Sequence, residues 1–278
     1  MLTLAWTGCN RAEDIPFEDP TSLVVVEGWV SDQFAQQYLR LSRTVPFTSG
    51  EPSEIVSDAE VVIFVSTNQL EQIPMTYSFD QESKNYLSDS LFAGQAGASY
   101  TLRITLTSGQ TIVTTAPEIM KAVRPIDTLF YNSFLRESEE NPNVEIEVFY
   151  PIARTSDPPN DINYYRWKLY RNDTLFADPQ DIFLFNDRFL ESAGSYPQQF
   201  TGYDYRLNDM IRVERMEISQ GAYRFLSLLK SQTTSLGTNT AVAPASIIGN
   251  LSYTNSGEDV LGYFGTFSIT SRVIRIER

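Results

Sequence analysis

The sequence predicts a mostly β protein: two antiparallel β-sandwich domains, the second carrying one α-helix at about residues 219–236. Three observations predict it. Apolar and polar residues alternate with period two over most of the chain, as half-buried strands require. Turn residues punctuate these runs at short intervals, with no strong helix between them in the first half. One stretch alone switches to helical spacing.

The strands follow in order. Leu23–Val30, Tyr38–Thr44, Ala59–Ser66, Met75–Asp80 and Lys84–Leu91 each read as one. In the next, Tyr100, Leu102, Ile104 and Leu106 face one way, and Thr101, Arg103, Thr105 and Thr107 the other. Ser108-Gly109-Gln110 then turns this strand back into Thr111–Thr115, a hairpin. This set makes a first sandwich over 23–118, with Trp29 expected at its heart. Residues 116–126 lose the alternation and hold Pro117 and Pro125, so the domain boundary is placed there.

Beyond it, a second domain is expected over 124–278. Val144, Ile146, Val148 and Tyr150 alternate with Glu145, Glu147 and Phe149; Tyr165, Trp167 and Leu169 alternate with Arg166, Lys168 and Tyr170. Ile211, Val213, Met216 and Ile218 continue the pattern, and Phe264–Ile269 and Arg272–Ile276 close the chain as strands. Between them Ala222, Phe225, Leu226, Leu229 and Thr233 share one helical face. Ser219 is the expected N-cap and Gly237 the stop.

Composition narrows the chemistry. With 35 acidic and 21 basic residues, the formal charge is −14, a field that repels nucleic acid and anionic membrane surfaces. There is no histidine and one cysteine, Cys9. Zinc, haem and most redox-metal sites draw on His and Cys, and Ser-His-Asp and Cys-His catalysis need the missing base. Carboxylate chemistry and oxygen-ligated calcium survive that filter. Glu145 and Glu147 point to one face of a strand, as paired glycosidase carboxylates would, but alternating Glu is also what a solvent face looks like. Asp173, Asp178, Asp181 and Asp187 crowd one stretch and are calcium candidates, although their spacing fits no EF-hand loop and Asp-rich turns arise for backbone reasons. The reading is therefore non-enzymatic, with no cofactor. Gly262 and Gly265, flanking Tyr263-Phe264, mark a bulge or a close backbone approach. Among the many aromatics, Tyr203, Tyr205, Tyr253 and Tyr263 are candidates for a protein interface.

The opening Met1-Leu2-Thr3-Leu4-Ala5-Trp6-Thr7-Gly8-Cys9 resembles the end of a bacterial lipoprotein signal, which implies acylation at Cys9. Glu13-Asp14 just behind it resembles a surface-export signal. Residues 1–22 thus read as signal remnant and flexible tether, with lipid as the sole membrane contact. Further phrases follow in order: Val24–Val30, Val56–Val65, Gly97-Ala98-Ser99-Tyr100-Thr101-Leu102, Ile248-Gly249-Asn250-Leu251 and Leu261–Gly265. Together these resemble the lipoprotein family catalogued as domain of unknown function 4249, and the first half is similar to carboxypeptidase-regulatory or transthyretin-like sandwiches. The resemblance implies an outer-membrane lipoprotein, facing the cell exterior, that accompanies a TonB-dependent receptor in nutrient uptake. It supplies no ligand residues. The alternative is a free-standing surface adhesin or glycan-binding module.

Overall fold

In a computed structural model, residues 22–45, 50–67, 72–138, 140–156, 161–188, 194–235, 247–256 and 259–278 are described. The alternation produces strands where expected. The first group is β1 (Val24–Ser31), β2 (Tyr38–Arg43), β3 (Glu54–Ile55), β4 (Glu60–Ser66), β5 (Ile73–Asp80), β6 (Asn85–Ser88), β7 (Ser99–Thr105), β8 (Thr111–Thr114) and β9 (Glu118–Ile119). The second is β10 (Ile126–Glu137), β11 (Glu145–Ser156), β12 (Tyr164–Arg171), β13 (Thr174–Leu175), β14 (Phe183–Asn186), β15 (Ser195–Gln199) and β16 (Met210–Ile218). Helix α1 (Gln220–Ser235) precedes β17 (Ile248–Tyr253) and the 17-residue β18 (Asp259–Arg275).

The mostly β class with a single helix among the described residues holds, but the first half is not an open sandwich. Its strands run β1-β2-β6-β5-β4-β7-β8, and β17 and β18 then close the ring. β17 pairs with β8 through Leu251 opposite Thr114. β18 pairs in parallel with β1, from Val25 opposite Leu261 to Ser31 opposite Phe267. The result is a closed nine-stranded barrel. Closure satisfies backbone groups that a sheet edge would leave unpaired. Its interior is filled by side chains, including Val26, Leu41, Ile63, Tyr100, Leu102, Ile104, Leu251 and Phe264. Alternation alone does not separate a sandwich from a barrel, because both bury one face of every strand. The sealing strands also lie more than 130 residues downstream of β8.

β18 is long enough to serve two sheets. Its first half seals the barrel, and its second half pairs with β16, from Ile218 opposite Phe267 to Met210 opposite Arg275. β16 pairs with β12, which carries β13 and β14. A separate three-stranded sheet, β10-β11-β15, packs on this extension through Ile126, Phe149, Ala153, Tyr165, Trp167 and Phe200. Arg215 is fully buried in that layer, its guanidinium 3.8 Å from the Tyr165 ring centre. Residues 119–123 lie where the domain boundary was expected, but hydrogen bonding runs unbroken across the two halves through β18.

Helix α1 begins as expected: Ser219 Oγ accepts the Ala222 N–H at 3.1 Å. Gly237, the expected stop, lies outside the described residues. The helix lays Ala222, Phe225, Leu226 and Leu229 over the junction, against Met216, Ile218, Tyr263 and Trp29. Trp29 is thus not at the barrel's heart. Val24, Val26 and Val30 take the interior phase of β1; the odd-numbered positions face out, and Trp29 stacks on Tyr263 at 5.9 Å under the helix.

Candidate functional site at the start of the helix

The two-residue strand β9 pairs with the start of β7, Glu118 opposite Tyr100. Its phase turns Ile119 out, 56% exposed, and Glu118 in, 8% exposed. There the Tyr263 hydroxyl donates to Glu118 Oε1 at 2.6 Å, and Asn250 Nδ2 donates to the same oxygen at 3.1 Å. Asn250 is itself clamped to β18: it donates to the Phe264 carbonyl at 2.8 Å and accepts the Phe264 N–H at 3.0 Å. The other oxygen, Oε2, is buried and accepts no hydrogen bond.

Burial drives the Glu118 pKa above the ordinary carboxylate value, and hydrogen bonding from Tyr263, Ser219 and Asn250 holds the rise back. Ser219 accepts the Ala222 N–H, keeps its own hydroxyl proton to donate, and stands close enough to favour the ionised form of Glu118. The Tyr263 phenol is pushed far above its usual value, chiefly by burial and then by the Glu118 charge, so it stays a donor.

Glu118 lines a cleft of about 640 Å³ whose opposite side is the start of α1: Ser219, Gln220 and Gly221. Gly221 is required there, because a Cβ would stand 2.5 Å from the Tyr263 hydroxyl. With the Ala222 amide taken by Ser219, the Gln220 and Gly221 amides have no intrahelical acceptor. The first turn carries no acidic residue to neutralise the dipole. Lys121 and Arg188 line the same cleft, and an adjoining recess of about 210 Å³ shares Tyr164, Arg188 and Gln220 and adds Arg224. In a chain of charge −14, Glu118 is the only carboxylate among the described residues that line either space. The arrangement sets positive charge on one side of the cleft and a buried carboxyl group on the other.

The sites expected from sequence fare differently. Cys9, Glu13 and Asp14 lie outside the described residues. The aspartates are occupied locally: Asp181 accepts the Asp178 N–H at 2.9 Å, Asp187 accepts the Asn163 N–H at 2.8 Å, and Asp173 lies 3.6 Å from Arg212. Among the described residues no three acidic side chains converge as a metal site would need. Glu145 and Glu147 lie exposed on β11, with Glu147 accepting from Ser133 at 2.7 Å. Three of the four interface tyrosines are core: Tyr203 and Tyr205 pack between the two sheet layers and Tyr263 lies under α1. The fourth, Tyr253, is half-buried against the barrel core. The three buried rings fill core space and present no surface to a partner. Glu118, Lys121 and Arg188 carried no sequence signal; Ser219, as a helix cap, and Tyr263, as an interface candidate, pointed to this place.

The family model described as Domain of unknown function (DUF4249) matches residues 12–273. The chain belongs to this family. None of the curated proteins matches it. The match spans barrel, helix and two-layer extension alike, so the cleft's lining residues all fall within the family's domain.

Proposed function

We propose that the protein is a non-enzymatic binding protein: an outer-membrane lipoprotein, anchored through Cys9 and facing the cell exterior, that serves as accessory subunit to a TonB-dependent receptor in nutrient uptake. The observation that carries the binding half is the cleft at the start of α1. Its volume falls within the range of small-molecule sites, and it gathers Lys121 and Arg188 beside the buried Glu118 on an acidic protein. Its groups do not make a catalytic set. Among the described residues no second carboxylate lines the cleft beside Glu118, and a base held by Tyr263 and Asn250 is built to fix a geometry.

The receptor half rests on the lipobox-like start, the Glu13-Asp14 pair and the family resemblance. Among the described residues no helix is long and apolar enough to cross a membrane, which suits attachment through lipid. The test is a mild-detergent pull-down through a C-terminal tag, in the native host and with the complete signal. Co-recovery of a large β-barrel protein at comparable stoichiometry is expected. Recovery of the lipoprotein alone would favour the free-standing adhesin or glycan-binding module instead. Cys9→Ser should shift the protein to the soluble fraction.

A further inference from the structure

We propose that the protein binds a doubly charged phosphate group, free or as a small monoester, between Arg166 and Lys168, where one face of β12 and β16 meets the outer wall of the barrel. The site shares no residue with the cleft at the start of α1 and goes beyond the binding reading above.

Strand β12 alternates. Tyr165, Trp167 and Leu169 fill the core between the two layers, and Tyr164, Arg166, Lys168 and Tyr170 take the opposite face, half-buried. On that face of β16, Glu214 stands opposite Lys168 and Arg212 opposite Tyr170. Arg166, Lys168 and Arg212 thus crowd one patch of a chain with 35 acidic and 21 basic residues. The ion pair that the cross-strand register offers Lys168 is not made. Glu214 spends Oε1 on Arg212 and accepts the Tyr170 hydroxyl on Oε2 at 2.8 Å, and the Arg212 guanidinium is held 3.5 Å from the Tyr170 ring centre. Among the described residues no carboxylate lies within ion-pair distance of Arg166 or Lys168. Glu27 and Tyr38, on the barrel wall, act on Arg166 through longer-range electrostatics. Arg166 Nε is enclosed without an acceptor, whereas its two terminal nitrogens and the Lys168 ammonium are not enclosed and remain open to a ligand. Burial lowers the pKa of both groups, and the guanidiniums of Arg166 and Arg212 lower that of Lys168 further. Like charges held side by side on partly desolvated ground cost free energy until an anion stands between them.

The charge count selects the ligand. A single carboxylate neutralises one of the two free cations. A phosphate monoester carries about 1.5 to 2 negative charges near neutral pH and three acceptor oxygens. That suffices for the planar fork of Arg166 and the point charge of Lys168 together. A polyanion is disfavoured, because Glu27 and Glu214 flank the pair and the chain carries −14 overall. Tyr38, 42% exposed on the barrel wall and within electrostatic reach of Arg166, offers a ring to the organic part of an ester.

The experiment is titration calorimetry on the lipid-free full-length chain at low ionic strength, with inorganic phosphate, glucose 6-phosphate, acetate and glucose as probes. Saturable binding is expected for phosphate, its ester or both, about tenfold or more tighter than for acetate, and none for glucose. The tighter of the two phosphate probes names the source, free ion or ester. Lys168→Gln should weaken binding about tenfold, and Arg166→Lys, which keeps the charge and loses the fork, about threefold. Arg154→Gln, at an exposed cation on β11, should leave the affinity unchanged. Circular dichroism and thermal melts establish that each variant is folded, and the exposed ammonium of Lys168 makes its variant the safer of the two. No saturable binding of either phosphate probe, acetate bound as tightly as phosphate, wild-type affinity in folded Lys168→Gln, or an equal loss in Arg154→Gln would overturn the assignment.

Discussion

The Tyr263 hydroxyl donates to Glu118 across 2.6 Å although 145 residues separate the two in sequence. The bond joins β9, at the end of the first group of strands, to β18, the strand shared by barrel and extension. It also stands beside Gly221, at the start of the only α-helix among the described residues. Three elements thus meet at one buried carboxyl group.

That burial sets a pH dependence. Because the folded Glu118 pKa is raised, the folded chain keeps a proton that the unfolded chain releases between the ordinary carboxylate pKa and the raised value. In that window the folded state binds more protons, so stability falls as pH rises through it and is constant below it. Each tenfold difference in proton affinity amounts to about 1.4 kcal/mol. Glu118→Gln removes the titration while keeping an acceptor for Tyr263. Urea unfolding from pH 4 to 8 should show a decline for wild type that is flattened in the variant. A wild-type stability that rises across the window through this residue would contradict the burial argument.

Two glycines of β18 give a second, graded prediction. Gly262 has φ +94°, and a Cβ there would lie 1.9 Å from the Val26 carbonyl oxygen across the parallel pair. Backbone cannot yield without breaking the ring, so Gly262→Ala should cost about 4 kcal/mol or more, or abolish folding. At Gly265 the obstacle is the Trp29 ring, 2.4 Å from the added Cβ. A side chain can shift, and the cost should be smaller, about 1–3 kcal/mol. Thermal melts of both variants, with Trp29 fluorescence reporting the second, check the order. Equal effects would mean that ring closure is not what Gly262 secures.

The helix offers a contrast that separates packing from propensity. Leu226 is buried against Met216 and Tyr263, whereas Leu228, two residues on, is 47% exposed. Leu226→Ala should lose about 2–5 kcal/mol, and Leu228→Ala should stay within about 0.5 kcal/mol of wild type. Chemical denaturation measures both.

What the sequence made legible was local. The period-two runs placed strands and assigned faces, as with Tyr100, Leu102 and Ile104, all of which point into the barrel. Ser219 and the spacing from Ala222 to Leu229 placed the helix and its buried side. Gly262 and Gly265 announced a close approach. Partners that are distant in the chain were not legible. Nothing local tells β1 that it will pair in parallel with a strand some 235 residues away, so an open sandwich and a closed barrel looked alike. Phase explains the miss at Trp29: both faces of β1 are covered, one by the barrel interior and one by α1, and an aromatic fits either. Glu118 escaped for a related reason. It sits on a two-residue strand inside a proline-flanked stretch, where no periodicity can announce a buried side, and its burial is created by Tyr263 and Asn250 from the far end of the chain.

The same topology makes the last prediction, on cooperativity. A fragment of residues 22–118 contains seven of the nine barrel strands but lacks β17 and β18. It would leave β1 and β8 as open edges and expose the side of the core that Leu251, Val260 and Phe264 cover. Exposed edges with apolar faces pair with other copies, so the fragment should aggregate or remain without fixed side-chain packing. The complementary fragment, residues 119–278, keeps its two layers but carries a β18 whose first half has lost β1. Calorimetry of the whole chain should therefore show one transition, with equal van't Hoff and calorimetric enthalpies. Mixing the two fragments should restore near-ultraviolet circular dichroism that neither has alone. If residues 22–118 melt cooperatively near the temperature of the intact protein, the first half is a self-sufficient domain, and β17 and β18 decorate a barrel that stands without them.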